Sequence, residues 1–215
     1  MKELIIESKT YGTKKVLIDE EDWDQITGSG AWYIRKLGSD YNPKWYAEKK
    51  LTLNQVKRLK EQFPDIHIAK SGSMMMHQLI MMTKKGQDVD HINHDGLDNR
   101  RENLRICTRS ENVCNKRPRG DSRSGYKGVY ARPQNYKQRY KYVHTQRGKP
   151  TGKISYHIST PKKKFQAYIR KPNSPKHKIS LGWYETAAEA ARVYDKAAKE
   201  LFGEFAYFNF PNEVA

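Results

Sequence analysis

Residues 90–112 read DHINHDGLDNRRENLRICTRSEN. An Asp-His pair, Asp90 and His91, is followed by Asn103 twelve positions after the histidine and by Asn112 nine further on. Hydrolysing a phosphodiester needs a base to take a proton from water. It also needs a divalent cation to hold the phosphate oxygens while charge builds on the leaving oxygen. Histidine suits the first task because its unperturbed pKa lies near neutrality. A hard cation such as Mg²⁺ takes oxygen ligands, few of them from protein, and Asp90 and Asn112 can each give one. On a strand over Val89–Ile92, Asp90 and His91 would point to opposite faces unless the strand ends in a turn. The HDG at 94–96 supplies that turn.

The pieces DHI, LDNR, ENLR and TRSEN, in this order, resemble the HNH (ββα-metal) endonucleases, most closely their phage and intron homing branch. The resemblance implies His91 as general base, Asn103 as the residue that orients its ring, and Asp90 and Asn112 as ligands of one divalent ion, Mg²⁺ or Mn²⁺. Arg100, Arg101, Arg105 and Arg109 cluster beside these residues, and phosphate contact is their natural task, Arg105 and Arg109 above all. His94 falls in the HDG turn and reads as exposed, with Asp95 and Asp98 as turn and cap residues. His77 matches a histidine often found just before this motif and reads as packed or phosphate-facing. A closing helix is expected over 110–116 with Ser110 as N-cap, which would aim Asn112 at the strand carrying Asp90. Cys107 and Cys114 lack the paired spacing of a zinc site, so no structural zinc is expected. They read as small buried groups in a reduced, cytoplasmic setting.

The 215-residue chain is 36% hydrophobic, enough for compact cores in one or two domains, and carries a net charge of +17. Residues 1–115 hold 19 Lys and Arg against 17 Asp and Glu, whereas residues 116–215 hold 22 against 7, so +15 of the +17 lies in the second part. A field of that sign points to nucleic acid before membrane surface, and no apolar spanning run or secretory leader is visible.

Before the motif, residues 1–70 read as a strand-rich leader: LIIES, VLIDEEDW, AWYIRKL and KWYAEK as strands, with Trp23, Trp32, Tyr33 and Trp45 as hydrophobic anchors. Val56, Leu59 and Phe63 put an apolar stripe on a short helix over 53–63 that stops at Pro64, and MMMHQLIMM over 74–82 reads as a second, buried helix. Residues 71–116 form the nuclease module. Residues 117–125 lack periodicity and read as a basic linker.

From 126 to 212 a further unit is expected: strands in YKGVYARP, KKFQAYIRK and KISLGWY, then a helix opened by a Thr186/Glu189 capping box and closed at Gly203. Ala190, Tyr194, Ala197 and Leu201 would face the sheet. Val129, Phe165, Ala167, Ile169, Ile179 and Leu181 fall on one sheet face; the other carries basic and aromatic side chains. The pattern Y-K-G-V, F-x-A-x-I-R, L-G-x-Y-x-T-A-x-E-A-A, Y-D-x-A-A and NFP resembles the plant apetala-two/ethylene-responsive-factor DNA-binding domain. That resemblance makes Lys127, Tyr130, Arg132, Lys164, Tyr168, Arg170, Lys178 and Ser180 DNA-facing. Tyr130 and Ser180 replace the usual Arg and Trp, so the plant target sequence does not transfer. Residues 133–161, rich in Lys, Arg and Tyr, are an insertion between the first two strands that reads as a long hairpin extending the phosphate contacts, with a mobile loop as the alternative.

The expected architecture is α+β: a small strand-rich leader, a ββα-metal module, and a three-stranded antiparallel sheet packed on one C-terminal helix. The two resemblances together imply a site-specific endonuclease of the homing type acting on double-stranded DNA, a monomer that nicks or a DNA-induced dimer that cuts both strands. The rivals are a transcriptional regulator with an inactive nuclease remnant and a phage restriction or packaging nuclease.

Overall fold

Alternating apolar residues open the chain as a hairpin, in which Lys2–Ser8 (β1) pairs with Gly12–Ile18 (β2) and turns Ile6, Val16 and Ile18 into the core. The computed structural model describes residues 1–215 apart from 40, 41, 147, 171–176 and 215. It divides into two units, Met1–Asn115 and Lys116–Ala215. The architecture is mixed α+β.

The strand expected through VLIDEEDW stops at Ile18, and Glu20–Gly28 is a helix, α1. Three acids in its first turn complement the helix dipole, and Trp23 and Ile26, three apart, face inward. Tyr33–Ser39 (β3), Asn42–Lys50 (β4) and Ser73–Met75 (β5) form an antiparallel sheet in that order. Trp32 is buried, its indole N–H donating to the Ile26 carbonyl at 2.9 Å, whereas Tyr33 points to solvent and anchors nothing. Leu53–Gln62 (α2) packs Val56 and Leu59 on the core, while Phe63 beyond its end is exposed. The second expected helix is shorter: Met74 and Met75 belong to β5, Met74 pairing with Lys49 in the sheet, and only Met76–Ile80 (α3) is helical. Its end is enforced by Met82, whose φ of 46° leaves the helical region.

Asp88–His91 (β6) and Leu104–Cys107 (β7) pair antiparallel, with Asp90 opposite Arg105 and His91 opposite Leu104. Arg109–Cys114 (α4) follows. Its N-cap is Thr108, not the expected Ser110, because Glu111 lies three residues after Thr108 and completes a capping box.

One core joins residues on both sides of position 70, from Ile6, Val16 and Ile26 to Leu79, Val89, Leu97 and Leu104. The loop after β6 is stitched to β2, the Leu17 N–H donating to Leu97 O and the Asn99 N–H to Leu17 O, both at 2.9 Å. Arg101 donates twice to the buried carboxylate of Asp22 on α1, at 2.8 and 2.7 Å. At Gly96 any Cβ would overlap the Trp45 carbonyl and the Tyr46 ring, so the HDG turn needs its glycine for close approach to β4.

In the second unit Val129–Ala131 (β8), Phe165–Arg170 (β11) and Lys178–Tyr184 (β12) form an antiparallel sheet in the order β12-β11-β8. It packs on Ala187–Phe202 (α5), capped by Thr186 and Glu189. Ala190, Ala191, Tyr194 and Ala198 are buried; Leu201, expected inward, is 40% exposed, because the alanines set the contact stripe one residue round. Ile179 is likewise exposed, at the sheet's outer strand. The Asp195 carboxylate, fully buried, accepts from the backbone N–H groups of Asn209 and Phe210 and from the Asn209 amide at 2.8–2.9 Å. Asn209 in turn accepts from the Lys127 N–H at 2.8 Å, which fixes the start of the sheet.

Residues 133–161 hold Gln138–Gln146 (β9) and Lys149–Ser159 (β10), a two-stranded hairpin. No helix among the described residues is long and apolar enough to cross a membrane.

Candidate functional site

Asp90 and His91 end β6, and both are buried. The chain turns directly after them, the His94 N–H donating to His91 O at 2.9 Å. The His91 ring packs edge-on against His77 of α3, with centroids 4.9 Å apart, and against Tyr46 of β4 at 5.8 Å. Its Nε2 is buried and makes no hydrogen bond of ordinary geometry, nor does Oδ1 of Asn99, whose side chain lies near enough to interact with it weakly. Burial holds the His91 pKa below the ordinary value, against the opposing influence of Asn99 and of the Asp90, Asp95 and Asp98 carboxylates. His91 is therefore a neutral imidazole at neutral pH, in the state a base requires. His77 is likewise buried, and its pKa is pushed down to about 3 by burial and by His91. It is the packed residue expected, turned to the site and not to solvent.

The hydrogen bonds of the Asn103 side chain go to the loop after the histidine and not to the His91 ring. Asn103 Oδ1 accepts from the Asn93 N–H at 2.9 Å and its Nδ2 donates to Asp98 O at 2.8 Å, so it ties together the loop of residues 93–98 that follows the histidine. Asp98 is held by Arg100 at 2.8 Å, which keeps its carboxyl below the usual range.

Asp90 Oδ2 accepts two hydrogen bonds from Arg105, at 3.0 and 2.7 Å, and one from the Asn115 amide at 2.8 Å. Asn112 lies instead with Asp88, its Nδ2 donating to Asp88 Oδ2 at 3.1 Å. Arg109 is exposed and reaches the same oxygen at 3.2 Å. Asp88 and Asn112 thus pair at one place, and Asp90 and Asn115 at the next, three residues along α4 and its cap. Arg109 is exposed, whereas Arg105 is largely buried and committed to Asp90. Sequence reasoning passed over Asp88, Asn99 and Asn115. The only signal for Asn115 is its i+3 spacing from Asn112, which keeps both on one helix side. Tyr46 carried no signal at all, since it reaches the site through tertiary packing.

Among the described residues no group of three or more His, Cys, Asp and Glu side chains is gathered to hold a metal ion. The donors near β6 and α4 are instead the carboxylates of Asp88 and Asp90 and the amides of Asn112 and Asn115. That oxygen-rich set fits a hard divalent cation beside an uncommitted imidazole nitrogen. Cys107 Sγ donates to Asp88 O at 3.6 Å, and burial pushes its thiol up to about 12, so it serves as a packed apolar group.

Residues 75–114 match the family model described as HNH endonuclease. The matched segment runs from the end of β5 to the end of α4 and contains His77, Asp90, His91, Asn103 and Asn112. An HNH endonuclease of Acanthamoeba polyphaga mimivirus, itself uncharacterized, is 32% identical over 149 residues, which is 66% of this chain and 59% of the relative. Dehydration-responsive element-binding protein 2A of Arabidopsis thaliana is 46% identical over 52 residues, 24% of this chain and 15% of the relative. Ethylene-responsive transcription factor 1 of Solanum lycopersicum is 45% identical over 51 residues, 24% and 21% of the two chains. The chain thus spans less than two thirds of each of these relatives. No solved structure matches.

The second unit presents a different surface. On the sheet face away from α5 stand Tyr130, Gln166, Tyr168, Lys178 and Ser180, which line one shallow groove, with Arg132 and Arg170 at its margins. Lys178 lies over the Tyr168 ring at 4.5 Å, and Gln166 donates to Ser180 at 2.9 Å. Arg132 stacks on Trp183 at 3.7 Å. Lys164 is exposed at the foot of β11, and the Lys127 ammonium lies 5.4 Å over Tyr207. Trp183, absent from the expected set, joins this face because β12 carries a bulge. Ser180 pairs with Tyr168 but Gly182 with Ala167, so the alternation shifts by one and Trp183 emerges opposite Gln166.

Proposed function

We propose that the chain is a divalent-metal-dependent endonuclease acting on double-stranded DNA, its chemistry in residues 75–114 and its DNA grip mainly in residues 116–215. The observation that carries the reading is His91 Nε2, a buried imidazole nitrogen with no hydrogen bond of ordinary geometry, at the end of a strand next to Asp90 within the segment that matches the HNH endonuclease model. His91 takes the proton from the attacking water. Asn103 fixes the loop that follows it, and the His77 and Tyr46 rings hold its rotamer. Asp90, with Asn112 or Asn115, would hold the cation, which when bound polarises the phosphate and stabilises the leaving oxygen. Arg109 is placed to meet a flanking phosphate. One such centre per chain nicks one strand, and cutting both needs a second copy or a second binding event.

Relaxation of supercoiled plasmid in Mg²⁺ or Mn²⁺ tests the activity. Asp90→Ala is expected to lower metal-dependent cleavage by a factor on the order of 10² or more, because water replaces the protein ligand without its fixed position. Of Asn112→Ala and Asn115→Ala, the one that matches this loss identifies the amide partner, and unchanged metal binding in all three would place the ion elsewhere. Arg105, which neutralises Asp90 with two bonds, favours a second reading, a DNA-binding regulator whose nuclease centre is silent. Plasmid that stays supercoiled in both metals would select it.

The face formed by β8, β11 and β12 supports duplex binding through cationic and aromatic side chains that can reach base edges in the major groove. Arg132→Ala and Arg170→Ala are each expected to weaken binding by about 1 to 3 kcal/mol and to relax sequence preference, as removal of a bidentate hydrogen-bonded pair with a base does. Lys162→Ala, which removes an exposed cation just before β11, should weaken all sequences alike, as loss of a phosphate contact does. Competition titrations against a scrambled duplex separate the two outcomes, and uniform weakening by the arginine variants would reduce them to phosphate binders.

A further inference from the structure

The β9-β10 hairpin stands outside both hydrophobic clusters of its unit. Val143, Tyr142, Ile154, Tyr156 and Ile158 are each about half exposed or more, at 46–60%. A two-stranded hairpin with no core beneath it is marginally stable in water, so its sequence should show what it is built to meet. Between residues 133 and 161 the chain has six Lys and Arg and no Asp or Glu.

The pairing register puts Arg139, Lys141 and Val143 on one side of the ribbon with Ile158, Tyr156 and Ile154, and the Arg139 guanidinium lies 3.5 Å over the Tyr156 ring. This side sets two cations among a tyrosine and three aliphatic side chains. The ribbon is also anchored to the DNA-facing sheet, since Arg132 Nη1 donates to Gln138 Oε1 at 3.2 Å and its guanidinium lies over Tyr136 at 4.6 Å. Eleven residues of β10 at about 3.3 Å each give a reach of about 35 Å, close to one turn of B-form DNA.

We propose that the β9-β10 hairpin is a second DNA-binding element, a ribbon that lies along the phosphate backbone of duplex DNA beyond the stretch engaged by the three-stranded sheet. The charge decides between occupants. Pairing with a second copy of this hairpin would set Arg139 and Lys141 against like charges with no acid in residues 133–161 to offset them, whereas a polyanion meets them with opposite charge. The exposed tyrosines and aliphatics then supply apolar area against sugars and groove walls. The proposal rests on the reading that the second unit binds duplex DNA.

The full chain is compared with a triple variant, Arg139→Gln with Lys141→Gln and Lys153→Gln, and with a variant in which residues 138–159 are replaced by a short Gly-Ser loop. Affinity for a duplex is measured as a function of salt, and the protected length by footprinting. The triple variant is expected to reduce the slope of log affinity against log salt by about 2 to 3, near 0.9 for each phosphate that is no longer neutralised. The loop variant should shorten the footprint on one side while the cleavage or binding site stays put. Equal slopes and equal footprints in chains that bind would overturn the proposal and leave the sheet as the whole reader. Loss of self-association on sizing, with DNA affinity unchanged, would overturn it in favour of a protein interface. Failure of the parent chain to bind any duplex would sink this proposal and the reading beneath it together.

Discussion

His91→Ala is expected to slow DNA cleavage by a factor on the order of 10² to 10⁴ while duplex affinity stays unchanged. Under the proposed mechanism the imidazole would contribute one proton transfer, which acts on water and not on the DNA. Its ring is buried, neutral at neutral pH, and carries Nε2 at the end of β6. Two other histidines lie close enough to compete. His77 is packed against His91 and Tyr46; His94 sits in the turn after β6 with a φ of 66°. Single-turnover rates with binding measured in parallel decide the matter, and a full rate in the His91 variant would move the base to His94. Asn99→Ala should act in the same direction and less strongly, because it removes the side chain beside His91 without removing the base.

Gly128→Ala should unfold the second unit, or nearly so. At a φ of 72° an L side chain carries backbone strain, and a Cβ built there would penetrate the Tyr194 ring, which is itself buried between α5 and the sheet. Strain of about 1 to 2 kcal/mol and overpacking of about 1 to 3 kcal/mol add to a large part of a small domain's total stability. Differential scanning calorimetry of the full chain should show the transition of residues 116–215 lowered or abolished while that of residues 1–115 is kept. A variant with two unchanged transitions would mean that Tyr194 swings aside at little cost. Tyr194→Ala together with Gly128→Ala separates the two contributions, since it removes the clash and leaves the strain.

How much of this was legible in the sequence varied with how local the determinant is. The ββα order around Asp90 and His91, the Thr186 cap and the alternation that buries Val129, Ala167 and Ile169 are local patterns, and the chain shows them. The helix at Glu20–Gly28 was hidden by its continuity with β2: DEEDW reads as the tail of an apolar strand until its acids are seen as a first helical turn. The partner of Asp90 was hidden by three residues of helix, a rotation that motif spacing does not resolve. Trp183 was hidden by a single bulged residue in β12, because strict alternation puts it on the buried side. Tyr46 and Asp22 depend on packing between segments far apart in the chain, and no window of sequence contains both partners.

The forty residues that match the HNH endonuclease model, 75–114, do not form a self-contained cassette. Here Leu97 and Asn99 are bonded to β2, Arg101 is neutralised by a buried carboxylate of α1, and Gly96 is moulded to the backbone of β4. Cut out alone, the cassette would carry a cation without its counter-ion, unpaired amides along its loop, and an apolar side with nothing to cover it. The unit that could be grafted onto another DNA-binding protein is therefore residues 1–115, and a chimera joined at residue 71 would inherit the motif but not the means to fold it.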